Sequence, residues 1–377
     1  MIHLVLPEPI QYQRTLCQAL SDHFDGSFVA WFIERGDSAP TNSSENFRCE
    51  FLSEAGYRSL FRALRADLEP VLVVGGWATN AARALIIASL LRVPFFIWAD
   101  HPFPRKRNLI FKHLRELYLR MLGRYANGFL ACGEPTVHHL AGLGLSPEKL
   151  FNFPYWITLP RTWSPPETKE GQPLKLLAVG RLVPVKAFDV AIKAVAQANQ
   201  NADHVIATLT IIGDGPERER LELLASALQT ECKFSSAGQC VTFSGSLPNA
   251  DIYQRMTEAD ALIVPSEFEP YGVVVLEAMA NGRPVLASDQ VVAALDRDEQ
   301  NGAIFLHSAG DVGALSSQIS ELATRRELLA AASRAARTTA EKWPPQRAGL
   351  ILSKALAATT NRVLPANTLT HESQTLR

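Results

Sequence analysis

Twice along this sequence, short runs of β-branched, aromatic and aliphatic residues alternate with helical periodicity, and between the two series the alternation lapses. In the first series the apolar runs at 2–6, 28–32, 71–75, 95–98 and 128–132 read as strands, with helical patterns at 78–91, 108–125 and 135–144. The 35–46 stretch has no periodicity and reads as a mobile loop. Residues 154–171 turn rich in Pro, Thr and Glu, as a linker does. The second series runs strand 174–179, helix 189–200, strand 208–213, helix 217–229, strand 241–244, helix 250–256, strand 261–264, helix 273–281 and strand 284–287. Repeated β-α-β order predicts parallel sheets covered by helices on both faces. At 377 residues the chain has room for two such domains, expected at 1–158 and 159–342. A helical stretch at 344–358 and a polar tail make up 343–377.

Charge and cysteine usage narrow the class. The 37 Lys and Arg nearly balance 38 Asp and Glu, for a formal −1. That argues against a nucleic-acid partner, whose binding rests on cations neutralising phosphates. Five scattered cysteines without a C-x-x-C read as reduced thiols, with no disulfide framework or zinc site. The apolar run at residues 2–6 is too short for a signal peptide, and Arg83 and Arg92 interrupt the apolar 71–99 region. A cytoplasmic location is expected, with attachment to the inner membrane face left open.

Familiar catalytic templates are missing. The dipeptide Gly-Lys does not occur, which argues against a P-loop, and Pro7-Glu8-Pro9 stands where a dinucleotide-binding G-x-G-x-x-G would follow the first strand. G-x-S-x-G and H-E-x-x-H are absent too. One D-x-D, Asp296-Arg297-Asp298, reads as a solvated turn, and no metal site is expected.

Three segments of the second half carry chemistry. In the first, the strand ending at Gly180 is followed by Arg181 and Lys186, which at the carboxyl end of a parallel strand suit a diphosphate. In the second, a strand ends, a Pro/Gly turn follows, and a helix opens near Val273, with Glu269 in the loop and Glu277 one turn inside the helix. Backbone N–H groups of Tyr271, Gly272 and Val273 would meet an anion there. In the third, the 241–247 strand end, with Gly245 and Leu247, can hold a nucleotide base through backbone groups.

Together these segments resemble the C-terminal domain of the family 4 glycosyltransferases (glycosyl transferases group 1), retaining enzymes of GT-B fold. The motifs are G-R-L-x-x-x-K at Gly180, Arg181, Leu182 and Lys186, G-D-G-P from Gly213 to Pro216, and E-P-Y-G-V-V-V-L-E-A-M-A-N-G-R-P-V from Glu269 to Val285. The likeness covers roughly 174–306, and the first half is similar only loosely, through Trp98-Ala99-Asp100-His101-Pro102.

The resemblance implies an α/β chain of two Rossmann-like, doubly wound domains facing across a cleft, an acceptor domain followed by a nucleotide-sugar domain. It implies that Arg181 and Lys186 neutralise the leaving diphosphate of a UDP- or GDP-sugar in place of a metal. Glu277 would bind the ribose hydroxyls, Glu269 those of the transferred sugar, and His101 with Asp100 would sit near the reacting carbon. The 343–377 segment would return to the first domain. No cofactor beyond the donor is implied. The acceptor would be a glycan or a lipid-linked molecule, in cell-surface polysaccharide or glycolipid synthesis.

Two positions depart from the family: Ala187 stands where glycine is usual, and Val292 lies in a loop that carries glycine in relatives. They keep open a catalytically weak nucleotide-sugar-binding module, and a sugar-nucleotide epimerase shares the general fold. One further feature is local. From 105 to 124 seven cations face Glu116 alone, a formal +6 that suits anionic lipid headgroups at about 1 kcal/mol per cation. Ile110, Leu114, Leu117 and Met121 form an apolar stripe on the same helix, expected in part to be core.

Overall fold

The computed structural model describes residues 1–35, 46–76, 79–102, 109–166, 171–231 and 240–360, without the side chains of 79–81, 109–112 and 230–231. The chain divides into two compact units. Unit 1 is Met1–Thr158 together with the stretch from Pro344, and unit 2 is Leu159–Trp343.

Unit 1 contains β1 (Ile2–Leu6), α1 (Gln11–Phe24), β2 (Phe28–Phe32), β3 (Cys49–Phe51), α2 (Leu52–Ala55), α3 (Tyr57–Ala66) and β4 (Val71–Gly75). It continues with α4 (Thr79–Leu91), β5 (Phe95–Ala99), α5 (Leu109–Tyr125), β6 (Gly128–Ala131), α6 (Glu134–Gly142) and β7 (Leu150–Asn152). Its parallel sheet has the order β3-β2-β1-β4-β5-β6-β7. β1, β2 and β5 are buried at every residue, as strands covered on both faces must be. Val5, Val29, Trp31, Leu72, Ile97 and Leu119 share one core on one face of this sheet.

Helix α5 corrects one expectation. Leu114, Leu117 and Met121 are exposed, and Leu119, Leu122 and the following Ala126 are buried instead. The helix carries two apolar arcs, and the sheet takes the one whose side chains fit beside Phe95, Ile97 and Phe129. Ile110 and Lys112 lie outside the described side chains, Arg105, Lys106 and Arg107 outside the described residues. So do most of the 35–46 loop and all of the tail beyond 360.

Unit 2 runs β8 (Leu174–Val179), α7 (Phe188–Gln200), β9 (Ala207–Ile212), α8 (Arg218–Glu231), β10 (Val241–Gly245), α9 (Asn249–Glu258) and β11 (Ala261–Val264). Then come α10 (Val273–Ala280), β12 (Val285–Ser288), α11 (Val292–Arg297), β13 (Ile304–His307), α12 (Val312–Thr324) and α13 (Arg326–Glu341). Its parallel strands are ordered β10-β9-β8-β11-β12-β13. In α7, Ala191, Ile192, Ala194, Val195 and Ala198 are buried at helical spacing, which turns one face of the helix onto the sheet.

A last helix, α14 (Arg347–Thr360), packs on α1 in unit 1. His23 Nε2 lies 3.0 Å from Ser353 Oγ. A Cβ on Gly349 would come 2.3 Å from His23 Cγ, so only glycine admits this approach.

Candidate functional site

In unit 2 the strand order reverses between β8 and β11, and ligands of open α/β sheets bind outside the carboxyl ends at such a switch point. The loop after β8 carries Gly180, Arg181 and Lys186, and the loop after β11 carries Glu269, Tyr271 and Gly272 and opens α10 at Val273. Gly213 opens the turn after β9, Gly245 closes β10 and Leu247 follows it. All the proposed donor residues of the second half therefore sit at one end of one sheet.

Backbone hydrogen bonds tie these loops to one another. Gly180 N–H donates to Ile212 O and Gly213 N–H to Gly245 O, each at 2.9 Å, which continues the sheet beyond its strands. Gly213 has φ +139°, and a Cβ on it would lie 1.9 Å from Gly180 O. Glu267 N–H donates to Val185 O at 2.8 Å, linking the β8 and β11 loops across the switch point.

Lys186 Nζ donates to Glu269 Oε2, an ion pair between those two loops. Lys186 closes a 3-10 turn, and Ala187 after it takes φ 50°, the left-handed conformation that glycine adopts more cheaply. Ala187 therefore keeps the turn geometry at a local cost of about 1–2 kcal/mol. Arg181 is exposed.

Glu269 is braced by its backbone: its N–H donates to Gln290 O at 3.0 Å, and its carbonyl accepts from Val292 N–H at 3.3 Å. Tyr271 O accepts from Ala293 N–H at 2.7 Å. Val292 is buried, so its side chain is turned into the interior of the unit. Its neighbour Val291 faces the turn at Gly272, where an added Cβ would lie 3.2 Å from Val291 Cγ1 and 2.9 Å from Glu269 Cγ.

Glu277 Oε1 accepts from Tyr253 Oη–H on α9 at 3.4 Å. Burial pushes the Glu277 carboxyl up from its ordinary value, and the Tyr253 contact opposes that. The Tyr253 hydroxyl is itself pushed up by burial and by the Glu277 charge, so it stays a donor.

The D-x-D is not a solvated turn. Asp296 and Arg297 form a buried ion pair at 2.6 Å, with side chains 0% and 2% exposed. Tyr271 Oη–H donates to Asp296 Oδ2 at 3.4 Å, and Arg297 stacks on the Trp343 ring at 3.8 Å. A carboxylate committed in this way anchors the Tyr271 loop from beneath.

In unit 1, Asp100 and His101 follow β5. Asp100 Oδ1 accepts from Tyr155 Oη–H at 2.9 Å. Thr136 donates its proton to Cys132 O at 2.7 Å and lies 3.4 Å from His101 Nδ1. Its oxygen can then accept from Nδ1–H, which leaves the lone pair on Nε2. The His139 ring stands 5.0 Å from that of His101. Burial, with the His139 and Arg115 charges, lowers the His101 pKa to about 4, so the imidazole is neutral at physiological pH. Tyr253, Tyr155 and the Asp296–Arg297 pair are the supporting residues that sequence reasoning missed, and their motifs give no local signal.

Comparison with known proteins agrees with this layout. Residues 161–339 match the family described as glycosyl transferases group 1. Sulfoquinovosyl transferase SQD2 of Arabidopsis thaliana is 31% identical over 177 residues, 46% of this chain and 31% of the relative. Amylovoran biosynthesis glycosyltransferase AmsK of Erwinia amylovora is 28% identical over 256 residues, 64% of this chain and 57% of the relative. The chain thus matches less than two thirds of the length of either. The structure of HepE from Anabaena in complex with UDP has a TM-score of 0.71 at 17% identity, covering 95% of this chain and 99% of that one. That likeness is one of fold, the pair of Rossmann-like domains of the GT-B class. Matched almost from end to end, the second unit at residues 161–339 belongs to the glycosyl transferases group 1 family.

Proposed function

We propose that this chain is a retaining, metal-independent glycosyltransferase that moves a sugar from a UDP- or GDP-sugar to a glycan or lipid-linked acceptor, in polysaccharide or glycolipid synthesis at the inner membrane face. The observation that carries the reading is the pairing across the unit 2 switch point: Arg181 and Lys186 on the β8 loop, Glu269 and Glu277 on the β11 loop and its helix. Cations fixed there offset the charge that develops on a departing nucleoside diphosphate, the work a bound metal ion does elsewhere. The N-terminus of α10 has no side-chain cap, which suits an anion on its first N–H groups. Glu277, held by Tyr253, accepts from ribose hydroxyls, and Glu269 accepts from hydroxyls of the transferred sugar.

His101 and Asp100 serve the acceptor side. A neutral imidazole with its lone pair on Nε2 can orient an acceptor hydroxyl by accepting its proton in a hydrogen bond. The relatives support the chemistry by name, SQD2 as a transferase and AmsK in amylovoran biosynthesis, and HepE is seen with UDP.

The deciding experiment is a thermal-shift and hydrolysis panel of UDP-, GDP- and ADP-sugars on wild type and Glu277→Ala. Turnover lost in the variant supports the enzyme, and binding without turnover on any acceptor supports the binding module. Failure to bind any nucleotide would sink both. Proton NMR of the product reports the anomeric outcome, and an assay in chelator reports the metal requirement.

A further inference from the structure

Helix α5, marked in the sequence by its charge, carries an apolar stripe that the fold leaves bare. Leu114, Leu117, Met121 and Tyr125 fall within about 80° of one another around the helix, and on α4 Ile86 and Leu90 are one turn apart. These six side chains are between 49% and 72% exposed. The inner residues of both helices, among them Ala84, Leu85, Ala88, Leu119 and Leu122, share one core, so both cover the same face of the unit 1 sheet. Exposed apolar side chains are ordinary when scattered singly, and six at helical spacing on one helical layer are not.

The charge beside them is one-sided. The sequences of α4 and α5 hold Arg83, Lys112, Arg115, Arg120 and Arg124 against Glu116 alone. His113, Arg120 and Arg124 follow one flank of the α5 stripe and are exposed. We infer that this face of unit 1 lies in the headgroup layer of an anionic bilayer, with the stripe at the acyl boundary and the arginines on lipid phosphates. A second copy of the chain would set these arginines against their own kind, and a neutral apolar partner would leave them without counter-charge. No helix among the described residues is long and apolar enough to cross a membrane, so the contact runs along the surface. It names the surface on which a lipid-linked acceptor would be met, and it rests on that part of the proposed function without depending on the sugar chemistry.

Vesicle flotation tests the inference. Wild type should float with phosphatidylcholine–phosphatidylglycerol vesicles, and much less with phosphatidylcholine alone or at high salt. Leu117→Asp with Met121→Asp should cut binding by about tenfold or more, and Arg124→Glu by several-fold. Leu223→Asp, which changes an exposed leucine of unit 2, should leave binding unchanged. In Tyr125→Trp, which introduces no charge, emission should shift to the blue with anionic vesicles. Nucleotide-sugar turnover, read separately in solution, should survive all four changes. Three results would overturn the inference: wild type that ignores anionic vesicles, stripe variants that bind like wild type, or a solution dimer dispersed by Leu117→Asp.

Discussion

Lys186 and Glu269 are joined by a hydrogen bond between cation and carboxylate, although they stand on loops after different strands of unit 2. Each therefore holds the other before any donor arrives, and a bound diphosphate must compete with Glu269 for the ammonium. Lys186→Ala should weaken UDP binding and lower kcat/KM by roughly 10²-fold. Glu269→Gln should lower kcat/KM while leaving UDP affinity at or above wild type, because the cation is released. Calorimetric titration with UDP separates the two.

Tyr253 is a positioning residue for Glu277. Tyr253→Phe should raise the donor KM and weaken UDP binding several-fold, and Glu277→Ala should weaken UDP binding further while leaving it measurable by calorimetry. In a double-mutant cycle the Tyr253 effect should vanish once Glu277 is alanine, whereas a purely structural role would persist in that background.

The buried pair beneath the Tyr271 loop gives a stability prediction. Arg297→Met leaves the Asp296 carboxylate buried without its cation and should cost about 3–5 kcal/mol, read by urea unfolding. Adding Asp296→Asn to that variant should recover part of the loss, since the uncompensated charge is then gone.

His101 should respond to acid. Its folded pKa of about 4 lies below its ordinary 6.5, so the unfolded chain binds the proton more readily. The stability that this neutral histidine contributes is full above pH 6.5 and is lost as the pH falls toward 4. His101→Gln should flatten the wild-type loss of stability across that window. The pH–activity profile between 5.5 and 7.5 should show no step from this imidazole, since it is neutral throughout.

Gly213→Ala should destabilise unit 2 by more than about 2 kcal/mol, because its Cβ would overlap Gly180 O. Gly310→Ala, with φ +82° and open space around it, should cost only about 1 kcal/mol. Thermal unfolding of the two variants measures the difference.

The order of strands and helices was readable because buried parallel strands show as unbroken apolar runs. β3 and β7 were not, since three residues are too few to display a period, and β13 and the helices α1, α3, α11, α12 and α13 went unplaced as well. The motif loops were readable because glycine and charge at strand ends have few other uses. Their supports were not: Tyr253 lies 24 residues from Glu277 and Tyr155 lies 55 from Asp100. Asp296 was misread because its local neighbours are polar and its burial is decided by Tyr271, Arg297 and Trp343. On α5 the sequence offered two apolar arcs, and only packing chose between them.

The docking of α14 on α1 also sets an order of events during synthesis. Unit 1 starts first, but the helix that covers α1 at His23 and Gly349 is translated only after all of unit 2. A ribosome therefore finishes the second unit before the first can close. During that interval the bare side of α1 is the surface a chaperone would have to shield.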